Sequence, residues 1–134
     1  MPRMDARKEP VRWIYSVVGG VIAEGLTIAS IALVVASTGH GQADDPVAQR
    51  IGAVMGATVG SLLCYVMGWW AARRAGARFA LQGGLVGTTA SLLTALGAIF
   101  GPPGQAGYYV VAVLMKVLAG NAGGRQAARM AEGP

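Results

Sequence analysis

Two charged residues stand inside long apolar segments of the sequence. Glu24 lies 11 positions after Trp13, and Lys116 lies eight positions after Tyr108. These intervals correspond to about 16 Å and about 12 Å of α-helix, so both side chains would lie near the midplane of a hydrocarbon core about 30 Å thick. Insertion of a charged side chain at that depth costs about 2.5–3.5 kcal/mol of free energy, so each side chain needs a partner or a water-filled cavity. The matching depths predict that Glu24 and Lys116 form an ion pair between adjacent first and fourth helices.

Two interpretations of this charged pair are open. In the first, the salt bridge neutralises both charges and fixes the register of the helices that carry them. In the second, Glu24 is a proton or cation site, and Lys116 tunes it or acts as its internal counter-ion. Alternatively, the Lys116 side chain extends toward the membrane surface and leaves Glu24 protonated and alone. A polar cavity that reaches Glu24 would favour the functional interpretation.

No other set of residues has the composition of a catalytic or metal site. The chain has one cysteine, Cys64, and one histidine, His40. A single cysteine excludes an intrachain disulfide, and a single histidine argues against a histidine-based zinc site or a Ser-His-Asp triad. His40, Asp44 and Asp45 are three potential ligands for a divalent metal, but without further ligands this group is interpreted as a solvated loop. We therefore predict no enzymatic activity, no metal and no cofactor.

The composition is typical of a membrane protein. The 134 residues are 54% hydrophobic and 13% charged, and the mean hydropathy is +0.50. A soluble domain has about 25% charged residues, so about half of the expected surface charge is missing. The 21 glycines would weaken a soluble core, but glycine is common in transmembrane helices. We therefore predict that residues 1–134 form a single transmembrane domain.

Four apolar segments are long enough to cross the hydrocarbon core, which takes about 20 helical residues. They cover residues 13–37, 51–72, 79–100 and 108–124. Turn-forming residues separate them, and the absence of alternating polar positions argues against the strands of a membrane barrel. The first segment is longer than the apolar region of a signal peptide, so we expect it to be retained as a span. The predicted fold is an all-α integral membrane four-helix bundle.

The positions of the basic residues predict how the chain is threaded. Nine of the eleven lie before the first span, between the second and third spans, or after the fourth span. They are Arg3, Arg7, Lys8, Arg12, Arg73, Arg74, Arg78, Arg125 and Arg129. Because basic segments are retained on the cytoplasmic side, we predict that both termini are cytoplasmic, in a bacterial inner membrane. Topology explains the positive charge, so the lipid bilayer is the expected partner and no nucleic acid is predicted.

Small residues recur at every fourth position in three of the predicted spans. The second span carries Gly52, Gly56, Gly60, Cys64, Gly68 and Ala72, the third carries Gly83, Gly87, Ser91 and Ala95, and the fourth carries Gly120, Gly124 and Ala128. Such faces let helices approach closely in lipid. We expect them to hold the bundle together, with a homo-oligomer or a partner in a membrane complex as the alternative use.

The two helical hairpins resemble each other in sequence. The second span ends in GWWAAR at residues 68–73, and the fourth ends in GRQAAR at residues 124–129. This match predicts a parallel duplication of two hairpins. In that alignment Glu24 falls opposite Thr88, and Lys116 falls opposite Gly60.

The start of the first span is similar to the first helix of the small multidrug resistance transporters. The resemblance rests on residues 13–15 (WIY) and 23–25 (AEG), with Cys64-Tyr65 in the second span. It implies a four-helix protein that works as a dimer and exchanges protons for cationic drugs through Glu24. The chain departs from that family in its long first loop, in the basic connection 73–78 and in Lys116.

Over more of its length the chain resembles uncharacterised bacterial four-helix membrane proteins whose even-numbered helices end in G-G-x-x-A-x-R. Residues 123–129 (GGRQAAR) fit that pattern, and residues 68–73 fit it in part. This resemblance implies no activity. The first functional prediction is therefore a small polytopic inner-membrane protein with a structural or accessory role. The alternative is a small proton-coupled transporter or channel-like oligomer that uses Glu24.

Overall fold

Four α-helices make up nearly all of the described chain. The structure is a computed structural model, and it describes residues 10–42, 44–100 and 106–133. The helices are α1 (Trp13–Thr38), α2 (Pro46–Ala75), α3 (Phe79–Phe100) and α4 (Ala106–Glu132), and the described residues contain no β-strand. The prediction of an all-α fold with four helices is therefore confirmed. The basic residues Arg3, Arg7 and Lys8 and the connection 101–105 lie outside the described residues.

Local sequence explains where α2 begins and ends. Asp45 precedes the helix, and its Oδ1 accepts a hydrogen bond from the Val47 backbone N–H over 2.8 Å. Pro46 suits the first helical position because its missing N–H would have no partner within the helix. At the other end, Gly76 adopts a left-handed conformation with φ of 71°, which ends the helix and turns the chain toward α3.

The start of α2 is expected to be sensitive to acid. The Val47 N–H and His40 Nδ1, which lies 2.6 Å from Asp45 Oδ2, hold the pKa of Asp45 below its usual value of 3.8. Because the folded pKa is lowered, the charged carboxylate stabilises the helix start above about pH 4, and this stabilisation is lost as the pH falls through the lowered pKa. Hydrogen exchange at residues 47–50, corrected for intrinsic rates, should accelerate over that range. Asp45→Asn keeps an acceptor but cannot be protonated, so it should lose this acid step, whereas Asp44→Asn should keep it.

The helices form a ring in the order α1, α2, α4, α3, and each packs against its two neighbours in that ring. α2 and α3 also meet across the centre, whereas in the described residues the backbones of α1 and α4 stay apart. The prediction that α1 and α4 are adjacent is therefore wrong. It assumed that a salt bridge requires neighbouring helices, but the long Lys116 side chain spans the diagonal. The ring places α1 beside α3 and α2 beside α4, so the helices that the alignment of the two hairpins pairs are neighbours.

Direct contact between small residues holds one half of the bundle together. We call it the tight half, and it comprises residues 13–23, 60–75, 79–91 and 117–132. A Cβ atom on Gly68 would lie 2.6 Å from the Gly120 carbonyl oxygen, and one on Gly83 would collide with the backbone of Gly120 and of Gly124. α4 therefore touches α2 and α3 backbone to backbone, which only glycine permits. Much of each small-residue face thus packs within this chain.

The bundle carries large apolar side chains outside and small residues inside. Leu33, Ile99 and Leu118 are each 69–74% exposed, whereas the buried apolar core is mainly alanine. Such a surface is typical of a protein that packs against lipid. Three helices, α1, α2 and α3, are long and apolar enough to cross a membrane. Among the described residues, three of the four predicted spans thus have such a counterpart, and α4 carries Lys116 and Asn121 within its apolar part.

Candidate functional site

The structure brings Glu24 of α1 and Lys116 of α4 together at the centre of the bundle. Lys116 Nζ donates a hydrogen bond to Glu24 Oε2 over 2.5 Å. Both side chains are withdrawn from the surface, with 8% of Glu24 and 1% of Lys116 exposed. Each charge is therefore neutralised by the other where little water is present to solvate it.

Thr94 of α3 joins this pair, and sequence reasoning missed it. Lys116 Nζ lies 2.6 Å from Thr94 Oγ1, which in turn lies 2.9 Å from Glu24 Oε1. The hydroxyl accepts from the ammonium and donates its one proton either to Glu24 or to the Ala90 carbonyl oxygen, 3.0 Å away. We call Glu24, Thr94 and Lys116 the ion triad. The sequence did indicate that Thr94 faces the other helices, since it lies seven residues after Gly87 and therefore on the small-residue face of the third span.

Gly60 of α2 leaves the space through which Lys116 crosses the bundle. A Cβ atom on Gly60 would lie 2.6 Å from Lys116 Cε and 3.4 Å from Thr27 Cγ2. On α3, Gly87 packs against the Lys116 backbone. The sequence alignment of the two hairpins set Gly60 opposite Lys116, and in the fold the small residue of one hairpin accommodates the long side chain of the other.

A cavity of about 620 Å³ lies on one side of the ion triad. We call it the vestibule, and the half of the bundle that contains it, with the connection between α1 and α2, is the open half. All four helices contribute to its walls, which are largely apolar, with Ile28 and Ile31 on α1 and Leu93 on α3. The ion triad forms its floor. Within the described parts of the chain, Glu24 and Lys116 are the only charged residues that line it.

The vestibule stops at the ion triad because the tight half closes the bundle beyond it. No residue of the tight half, as the structure describes it, lines the cavity. There Ser16 Oγ donates to Gln82 Oε1 over 2.5 Å, and a Cβ atom on Gly20 would lie 2.5 Å from Thr89 Cβ. At the other end the lining includes the exposed Gln42. The vestibule therefore opens at the end of the bundle that carries the connection between α1 and α2, and it is closed toward the termini.

The remaining chemically notable side chains serve local structure. His40 pairs with Asp45 on the exposed connection, and Asp44 lies beside them. In the portions of the chain that the structure describes, no three His, Cys, Asp or Glu side chains form a group that could hold a metal ion. Cys64 is buried against Ala23 and Ala90, where a small side chain is needed between α1, α2 and α3.

Aromatic and basic side chains stack at the tight-half end of α2. The Arg73 guanidinium lies 5.1 Å from the centre of the Trp69 ring, and that of Arg74 lies 6.0 Å from the Trp70 ring. Tyr15 of α1 meets Trp70 edge to face, with 6.2 Å between ring centres. Rings of this kind with neighbouring cations suit the boundary between lipid and water.

Comparisons of the sequence with protein-family models, with curated proteins and with solved structures find no match. Function is therefore inferred from the geometry of the ion triad and the vestibule. The resemblance of the first span to the small multidrug resistance transporters stays a prediction that rests on the residues around Glu24.

Proposed function

We propose that the protein is a small carrier of the bacterial inner membrane that binds a charged, partly apolar small molecule in the vestibule. Glu24 and Lys116 are the groups that receive the charge of this molecule. The contact between the vestibule and the ion triad carries the proposal, because a salt bridge that only joined helices would need no cavity of about 620 Å³ beside it. Small-molecule sites typically have about 300–1,000 Å³ and combine apolar walls with few polar groups.

In the proposed topology all four helices cross the membrane, both termini are cytoplasmic and the vestibule faces outward. The apolar outer surface of the bundle supports insertion, and the arginines near both ends of the 73–78 connection and at the end of α4 support the orientation. Lys116 is no obstacle to a fourth span, because its pairing with Glu24 removes much of the cost of its charge in lipid.

The charged groups of the ion triad can pair with each other or with a ligand. Within the triad, Lys116 is the cation that pairs with Glu24. A cationic ligand would take the place of Lys116 at Glu24, and an anionic ligand would take the place of Glu24 at Lys116. With a singly charged ligand the site stays neutral only if it loses or gains a proton, because an unpaired buried charge is strongly unfavourable. Proton movement together with such a ligand is the expected sign of coupling.

Access to the vestibule is tested by thiol labelling. Ala53 lines the α2 wall of the vestibule, and the native Cys64 is fully buried. In a Cys64→Ala background we expect Ala53→Cys to react with a membrane-impermeant maleimide added to intact spheroplasts. The wild type, with Cys64 alone, should stay unlabelled. Labelling only after the cytoplasmic face is exposed would contradict the orientation, and no labelling from either side would contradict an open vestibule.

Transport is tested with the purified protein in liposomes. Tryptamine, indole-3-propionate, tryptophan and tryptophol share an indole body and differ in charge. Above the leak of protein-free liposomes, we expect uptake of a member that carries an ammonium group, tryptamine or tryptophan, to fall about 10-fold or more in Glu24→Gln, since its negatively charged partner is lost. Glu132→Gln, at the exposed end of α4, is the matched control and should transport normally. A pH dye in the lumen reports any protons moved. Equal uptake by wild type and Glu24→Gln, or none by either, would rule out a carrier.

A structural or accessory role is the second candidate, and the completeness of the ion triad favours it. Both carboxylate oxygens of Glu24 have a hydrogen-bond donor within the ion triad. The triad therefore needs no ligand to satisfy Glu24, and it can fix the register of α1, α3 and α4 by itself. This role predicts that Ala53→Cys is labelled from outside while none of the four indole compounds is taken up.

A further inference from the structure

We infer that the ligand of the vestibule is a zwitterion whose two charges lie on neighbouring groups and whose remaining body is apolar, as in an apolar α-amino acid. This inference rests on the proposed function and names the class of molecule that the same site would take.

Charge balance at the floor of the vestibule is the first reason. Glu24 and Lys116 present one negative and one positive group in direct contact, and in the described residues no other charge lines the cavity. A ligand with a single charge would pair with one of them and leave the other buried without a partner. A zwitterion replaces both partners at once, because its cationic group binds Glu24 and its anionic group binds Lys116. The site then stays neutral without gaining or losing a proton.

The spacing of the protein charges sets the spacing of the ligand charges. Lys116 Nζ and Glu24 Oε2 are 2.5 Å apart. Two ligand charges joined through one carbon atom are close enough together for the cationic group to meet Glu24 while the anionic group meets Lys116 beside it. Charges at opposite ends of a long molecule would instead require α1 and α4 to move apart.

Thr94 suits a head group that carries both charges. Its Oγ1 lies 2.6 Å from Lys116 Nζ and 2.9 Å from Glu24 Oε1, so it stands beside both charged groups. A hydroxyl both donates and accepts, and it can therefore donate to a carboxylate or accept from an ammonium without changing position.

The walls of the vestibule account for the apolar body. Between the floor and the mouth, the cavity is lined by side chains such as Ile28, Ile31 and Leu93. A ligand held at its head by the ion triad would extend its remaining atoms along these side chains, where apolar surface is removed from water. A small, wholly polar zwitterion would leave this surface uncovered.

Binding of the four indole compounds to the protein in lipid discs, measured by calorimetry, tests the inference. We expect tryptophan to bind about 10- to 100-fold more tightly than tryptamine, indole-3-propionate or tryptophol, because only tryptophan supplies both charged partners. In Glu24→Gln the preference should change to indole-3-propionate, and in Lys116→Gln it should change to tryptamine. A variant that fails to fold would bind none of the compounds, so a change of preference separates the two effects.

Each other outcome overturns the inference in a distinguishable way. If wild type prefers tryptamine or indole-3-propionate and moves protons with it, the carrier stands and the zwitterion is wrong. If all four compounds bind equally, the vestibule recognises the indole body that they share and not their charges. If none binds or is transported although Ala53→Cys is labelled from outside, the carrier is ruled out together with the zwitterion, and the structural role stands. If none binds, none is transported and Ala53→Cys is unlabelled, the proposed function fails as well.

Discussion

Replacing Lys116 by methionine is expected to lower the free energy of unfolding by about 3–5 kcal/mol, the usual effect of breaking a buried ion pair. Methionine keeps most of the apolar length of the side chain, so packing beside Gly60 is largely preserved. The loss arises at Glu24, whose carboxylate would remain charged without its partner or take up a proton, and both are unfavourable. Equilibrium unfolding of the purified protein in mixed detergents measures the change.

A double-mutant cycle separates the pair from its surroundings. Glu24→Gln alone should also destabilise, whereas Glu24→Gln with Lys116→Met should recover most of the loss, because no unpaired charge remains. Arg125→Met removes a positive charge from the exposed side of the same helix, and it should change stability by no more than about 0.5 kcal/mol. Purely additive losses in the cycle would show that Glu24 and Lys116 do not interact.

Gly83→Ala is expected to cost about 1–3 kcal/mol or more, as overpacking of a tight contact does. The added methyl group would meet backbone atoms of Gly120 and Gly124, which cannot rotate away as a side chain can. α3 and α4 would have to separate, and the tight half would lose its closest contact. The same unfolding measurement reports the effect.

Gly97→Ala is the matched control for this substitution. Gly97 lies on the same helix, but a Cβ atom there would have no neighbouring atom within 4 Å. We expect no loss of stability, and a gain of up to about 1 kcal/mol from the better helix propensity of alanine. Equal losses in Gly83→Ala and Gly97→Ala would mean that the backbone contact at Gly83 is not the cause of the destabilisation.

Hydropathy and depth were sufficient to predict the helices and to single out Glu24 and Lys116. α1 and α3 follow the apolar segments to within one residue, since helices in apolar segments end where turn formers and charges begin. Depth gives the position of a residue along the bundle but not around it. The prediction that α1 and α4 are adjacent was wrong for that reason. The two charges still meet because the Lys116 side chain is long enough to span the distance between the two helices.

The vestibule was beyond sequence reasoning because part of a small-residue face borders a space and not a closely packed helix. Gly60 and Gly68 receive a neighbour, whereas Gly52 and Gly56, on the same face of α2, line the vestibule, and a Cβ atom on Gly56 would touch nothing within 4 Å. Spacing alone cannot separate a glycine that admits another helix from one that borders a space. Thr94 was missed likewise, because its importance depends on what lies across the bundle.

The length of α2 bears on how a molecule would reach its binding site. Its 30 residues extend about 45 Å, which exceeds a hydrocarbon core of about 30 Å. In the proposed orientation the first turn of α2, residues 46–50, lies beyond the hydrocarbon core at the level of the lipid headgroups, and Ala48 and Gln49 on this turn line the vestibule. Compounds would therefore enter through the outer headgroup region, so their concentration at the interface between lipid and water would govern how often the site is filled.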